Sequence, residues 1–133
     1  MCIRDSSIRV IPGMDPSIFD YINANCRGVV IESFGVGGIP YYGDNAFEEK
    51  IAAMMENGVR VVITTQVPHE GSNLSVYRVG HIIKEKYRVL EATSMTTEAV
   101  IAKMMWALAY SDSRESFERL FQRPVGKDKL ENA

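Results

Sequence analysis

The sequence predicts an α/β chain: a three-layer Rossmann-like domain with a short, about four-stranded parallel sheet flanked by helices. Three observations predict it. Short β-branched and apolar runs recur at residues 8–12, 28–34, 59–64 and 88–90. Between them, apolar residues repeat at helical spacing. Glycine or proline punctuates the junctions, as at Pro12, Gly13, Gly28 and Gly58. Such alternation means βαβ units, hence parallel strands joined by right-handed crossovers.

In chain order, residues 8–12 read as a strand ended by Pro12 and Gly13. Asp15 as N-cap and Pro16 at the first helical position open a helix with Ile18, Phe19 and Ile22 on its inner face. Cys26 falls in its last turn and Gly28 stops it. Residues 28–34 are largely apolar, the pattern of a strand covered on both faces. After a Gly-rich turn, Asn45 and Glu48 suggest a capping box for a helix with the stripe Phe47, Ile51, Met54 and Met55, stopped by Gly58. Residues 59–64 are a third strand, 65–76 a polar irregular stretch, 77–86 a short helix and 88–90 a brief fourth strand. Thr96 caps the strongest helix, whose buried stripe is Val100, Ile101, Met104, Met105 and Leu108. Asp112 and Glu115 suggest a capped final helix with Phe117, Leu120 and Phe121 inward. The chain from Val125 is polar and expected to fray. The domain so read covers residues 7–127, with 128–133 a polar tail. Residues 1–6 carry no periodicity; they read as a translated adapter and are excluded from fold reasoning.

Composition narrows the function. Of 133 residues, 46% are hydrophobic and 24% charged, a globular balance able to bury a core. A net charge of -2 gives no electrostatic footprint for nucleic acid. No apolar run approaches the roughly 20 residues that span a bilayer, and the N-terminus lacks the apolar region of a signal peptide. Two cysteines, Cys2 and Cys26, lack disulfide or zinc spacing, which suits a reducing, cytoplasmic setting.

Ligands of open parallel sheets gather at the carboxyl ends of the strands. Two segments belong there: Gly35, Val36, Gly37, Gly38, Ile39, Pro40 and Tyr41 after the second strand, and the long loop from Thr64 to Tyr77 after the third. The first begins like a dinucleotide fingerprint but fails it. Pro40 holds the third glycine position, and Thr64, Thr65 and Gln66 stand where an acidic residue would end the next strand. Its glycines allow a tight turn and close backbone approach, with N–H groups that could face a small ligand or a neighbouring chain. The second segment is polar and long for its type, a hallmark of function. A triad of Ser72, His69 and an acid can be drawn there, but no nucleophile elbow accompanies it. His69 and His81 lack the companions of metal ligands. Trp106 reads as a core or interface anchor, and Glu48 with Glu49 as a solvated face.

The runs IESFGVGGIP at 31–40, TTQV at 64–67, YRVG at 77–80, TSMTTEA at 93–99 and KMMWAL at 103–108 agree in order and spacing with one family. The chain resembles the C-terminal domain of bacterial cytoplasmic (type I) L-asparaginases over residues 8–127. The resemblance implies hydrolysis of the asparagine side-chain amide to aspartate and ammonia, with neither metal nor organic cofactor. The family's nucleophilic threonines lie in an N-terminal domain, in motifs absent here: Ile39, not threonine, follows Gly37 and Gly38. No residue here is therefore expected to be catalytic, and the chain alone is expected to be inactive. Its implied partners are its own N-terminal domain and a second subunit, whose active site the 35–41 turn would approach. Some relatives carry asparagine at the place of Gly38, where only backbone could serve here. Glu32, Thr64, Thr65, Gln66, Val67 and Tyr77 match a domain-boundary and effector region. Some members hold arginine at the place of Glu32 and cysteine at that of Val67; Glu32 reverses that charge, which argues against the same regulation. The asparaginase-like subunit of archaeal glutamyl-tRNA amidotransferase shares the domain and is the alternative within enzymes. A stand-alone small-molecule binding or oligomerisation module is the alternative outside them.

Overall fold

All six residues of strand β2, Gly28–Ser33, are buried. This strand lies between β1, Asp5–Arg9, and β3, Arg60–Thr65, with β4, Leu90–Glu91, beyond β3; every pairing is parallel. The protein is described here by a computed structural model over residues 4–35, 37–41, 43–67, 72–76 and 78–128. Because the strand order is the chain order, helices α1 (Ile18–Asn25), α2 (Ala46–Glu56) and α3 (Arg78–Tyr87) share one face. There Phe19, Ile22, Phe47, Ile51, Met54 and Ile83 pack with Val29, Ile31, Val61 and Ile63. Helices α4 (Thr97–Tyr110) and α5 (Arg114–Gln122) cover the other face, where Val100, Met104, Leu108, Phe117 and Phe121 meet Val30 and Val62. Neighbouring strand residues point to opposite faces, so one apolar run feeds both cores. The expected three layers and parallel sheet are therefore observed. Among the described residues no helix is long and apolar enough to cross a membrane.

Local boundaries depart from the sequence reading for identifiable reasons. Strand β1 begins at Asp5, and Asp5 and Ser6 pair with Gly28 and Val29. Beyond Arg9 only the Val10 N–H continues the ladder, to Glu32 O at 3.1 Å. Pro12 has no N–H to give, so the strand does not run to it. Asp15 is not the N-cap of α1 and Pro16 is not its first residue: Asp15 Oδ1 accepts from the Ser17 N–H at 2.8 Å in a turn before the helix, Ser17 takes the cap position, and Ile18 is left 41% exposed. Gly28 does not stop α1; it opens β2 beneath α4, where a Cβ would lie 2.8 Å from Leu108 Cδ1 and 3.0 Å from Met104 Sδ. Cys26 is the extended residue closing α1, its Sγ 3.2 Å from Ser6 Oγ.

The capping box of Asn45 and Glu48 does not form. Asp44 Oδ1 instead accepts from the Ala46 N–H at 3.2 Å, and Glu48 pairs with Lys86 at 3.7 Å rather than standing in solvent. Gly58 ends α2 at φ 87° as expected. Thr96 caps α4 as expected, accepting from the Ala99 N–H at 3.3 Å. Ser113, with Ser116, caps α5 in place of Asp112 and Glu115. Met105 faces outward, and Lys103 takes a buried position on α4 instead. Its Nζ donates to Arg123 O at 2.6 Å and pairs with Asp128. The tail is thereby held as far as Asp128 rather than frayed from Val125.

Candidate functional site

Strand β2 delivers Phe34 into a tight turn at the carboxyl edge of the sheet. The Phe34 N–H donates to Gly38 O at 2.7 Å, and Phe34 O accepts from Gly37 N–H at 3.0 Å and Gly38 N–H at 2.8 Å. Gly35 and Gly37 hold φ of 46° and 150°, which side-chain-bearing residues resist. A Cβ on Gly37 would also sit 2.9 Å from Asn73 O and 3.0 Å from Leu74 Cα. Gly37, Gly38, Ile39 and Pro40 are buried and Tyr41 is exposed. The N–H groups of Gly37 and Gly38 are thus spent inside the turn. At these two residues the turn offers a fixed shape instead of the free donors the sequence suggested. Val36 and Tyr77 lie outside the described residues, as does His69.

The boundary residues join the three strand ends. Gln66 Nε2 donates to Val10 O at 2.7 Å and Glu32 O at 3.0 Å, while its own N–H reaches Ser33 O at 3.1 Å. The Ser33 hydroxyl donates to Thr64 O at 2.7 Å. Thr65 Oγ1 donates to Gly35 O and accepts from the Val67 N–H at 3.0 Å, so this hydroxyl ties the turn to β3. The Glu32 carboxylate accepts from Arg9 Nη2 at 2.9 Å and Nε at 3.1 Å. The charge that differs from the effector-binding pattern is therefore matched from β1.

On the far side of the turn, a 3-10 turn at Leu74–Val76 leads into α3. The Ser72 N–H donates to Thr93 O at 2.8 Å, and the Leu74 N–H donates to Glu91 Oε1. Glu91 Oε2 accepts from Lys84 Nζ at 2.7 Å. A Cβ on Gly80 would lie 2.7 Å from Leu74 O and 2.9 Å from Gly37 O. Gly37, Leu74 and Gly80 are thus in backbone contact. Gly80 ends the YRVG run, and a glycine within a helical pattern signals close packing. Nothing in the sequence marks Glu91 and Lys84, because a single acid closing a two-residue strand carries no periodic signal.

Among the described residues this arrangement braces the sheet edge and brings no base to a hydroxyl. Thr64 and Thr65 are buried in β3, and among the described residues no histidine or carboxylate bonds either hydroxyl. Ser72 is buried and, among those residues, its hydroxyl has no partner, so none of them activates it. No group of three or more histidine, cysteine, aspartate or glutamate side chains converges there either. His81 is exposed on α3, and Trp106 packs against the second core with its ring 6.3 Å from that of Tyr110. A shallow groove lined by Met55, Arg88, Arg114 and Glu118 lies at the opposite, amino end of the sheet. Burial, then the charges of Arg114 and Arg27, lowers the Arg60 pKa beside it.

The family model for the glutaminase/asparaginase C-terminal domain matches residues 6–121. The chain is 36% identical over 118 residues to an L-asparaginase of Thermococcus kodakarensis, covering 89% of this chain and 35% of that protein. It is 30% identical over 119 residues to a glutamyl-tRNA(Gln) amidotransferase subunit of Methanopyrus kandleri, covering 89% of this chain and 25% of that one. Among solved structures, the thermostable L-asparaginase from Thermococcus kodakarensis matches with a TM-score of 0.86 at 31% identity, over 97% of this chain and 38% of the other. L-asparaginase I from Vibrio cholerae shares the fold, with a TM-score of 0.82 at 24% identity over 97% of this chain and 38% of the other. The chain spans about a third of the length of the L-asparaginase relative and a quarter of the amidotransferase relative.

Proposed function

Because the chain belongs to the glutaminase/asparaginase C-terminal domain family, we propose that it acts as the C-terminal domain of an L-asparaginase-like amidohydrolase of type I. In that role it closes an active site whose nucleophile another domain supplies. Its proposed partners are an N-terminal catalytic domain and a second subunit, with asparagine as the substrate of the assembled enzyme. The carrying observation is the turn at the sheet edge: buried from Gly37 to Pro40, locked by its own hydrogen bonds and pinned by Thr65. Rigid backbone of this kind can define one wall of a pocket. Among the described residues it has no activated hydroxyl beside it, which supports taking the attacking group from another domain.

The amidotransferase reading uses the same domain and is compatible with the amidotransferase relatives, at lower identity than the L-asparaginase relative. The net charge of -2 gives this domain no attraction for tRNA, so RNA binding would fall to other parts of such an enzyme.

A chimera tests the proposal. The corresponding C-terminal segment of the Thermococcus kodakarensis L-asparaginase is replaced by this chain, and ammonia release from asparagine is measured. Asparagine turnover above that of the truncated parent is expected. A folded, dimeric chimera with no more activity than the truncated parent would overturn the reading.

A further inference from the structure

We infer that Glu91 is a positioning residue for the turn at Gly37 and Gly38, acting through Leu74 and held in place by Lys84. The importance of the turn to catalysis rests on the function proposed above; the bracing does not. Glu91 ends β4, and its side chain is 9% exposed. One carboxylate oxygen accepts the Leu74 N–H, and the other accepts from Lys84 Nζ at 2.7 Å. Both acceptor oxygens are engaged, so the carboxylate has a single orientation. Leu74 is fully buried, and its Cα lies 3.0 Å from the place of a Gly37 Cβ. Gly80, one helical turn before Lys84, closes the contact from α3, with Gly37 O 2.9 Å and Leu74 O 2.7 Å from the place of its own Cβ. Three backbone segments meet here without intervening side chains, so a shift of Leu74 is transmitted directly to Gly37.

The Ser72 N–H to Thr93 O bond of 2.8 Å straps the same loop to the chain just past β4. Thr93 holds φ at 51°, a conformation a β-branched residue adopts only where its surroundings impose it. Among the described residues the loop is thus tied to the end of β4 at two points, and of these the Glu91 tie involves a side chain that substitution can remove. Thr65 pins the turn from β3, and Glu91 pins the loop that abuts it.

Amide hydrogen exchange on the purified chain tests this directly. In Glu91→Ala, exchange at Gly37, Gly38 and Leu74 should rise about tenfold or more, because a buried N–H loses its acceptor. Amides at the centre of β2 and β3 should stay within about twofold of the unaltered chain, since local opening does not require global unfolding. Glu91→Gln, which keeps an oxygen for the Leu74 N–H, should restore most of the protection. Unchanged exchange at the turn, or a parallel rise at every amide, would overturn the inference. In the chimera described above, Glu91→Ala should raise KM for asparagine about fivefold while Glu91→Gln stays near the parent value. An inactive parent chimera would count against the function reading alone, because the exchange result decides the bracing. An active chimera whose KM ignores both substitutions would overturn the positioning role even if exchange rises.

Discussion

Two glycines show how one residue type serves opposite needs. Gly37 combines φ 150° with backbone atoms 2.9 and 3.0 Å from a would-be Cβ, so neither partner can yield. Gly28 has ordinary φ, and what a Cβ would meet, Leu108 Cδ1 and Met104 Sδ, are the ends of flexible side chains. Gly37→Ala should therefore cost about 2–3 kcal/mol of unfolding free energy, and Gly28→Ala about 1 kcal/mol or less. Urea denaturation of both variants checks this, and equal costs would contradict it. Lys103 is a second test at this scale. Its side chain is 5% exposed and that of its partner Asp128 is 14% exposed. Lys103→Ala removes a buried ammonium from the Arg123 carbonyl and the Asp128 carboxylate and should cost about 3 kcal/mol. A loss below about 0.5 kcal/mol, the range of ordinary surface substitutions, would show that the tail contact adds nothing.

Among the elements, α5 has an entry that can be tested by pH. The Ser116 hydroxyl donates to the Asp112 carboxylate at 3.0 Å and holds its pKa below the ordinary value. The Ser17 N–H does the same for Asp15 before α1. A carboxyl with a lower pKa in the folded chain stabilises the fold above its unfolded pKa. That contribution is lost as pH falls through the folded value. The urea midpoint should therefore decline on acidification through the carboxylate range, and Asp112→Asn should flatten that decline. An identical slope in the variant would contradict the assignment. The elements were also where the sequence was most readable. The largely apolar run of β2, the Thr96 cap and the stripe of Phe117 and Phe121 each depend on neighbours within a turn or two. What could not be read there was set by distant chain. Lys103 owes its burial to a partner 25 residues away, and Gly28 reads as a helix stop until α4 is placed over it. Asn45 and Glu48 had the spacing of a capping box, yet Asp44 supplied the bond and Lys86 drew Glu48 away.

At the scale of the whole molecule, the order β1-β2-β3-β4 has no reversal of direction, and so no crevice of the kind that holds ligands in doubly wound sheets. The carboxyl edge is instead filled by its own turn, by Gln66 and by the loop that Glu91 holds. The position of the turn was legible, because glycines after a buried strand locate it. The commitment of its donors was not, since their bonds to Phe34 O are set by backbone geometry no motif encodes. The role proposed above for a domain so closed on itself is to shape a neighbour's pocket and to perform no hydrolysis by itself. The most direct measurement is ammonia release from asparagine by the purified chain. Release no greater than the protein-free blank is predicted. Sustained turnover that disappears in Thr65→Val or Ser72→Ala would contradict it, by placing a working nucleophile within this chain.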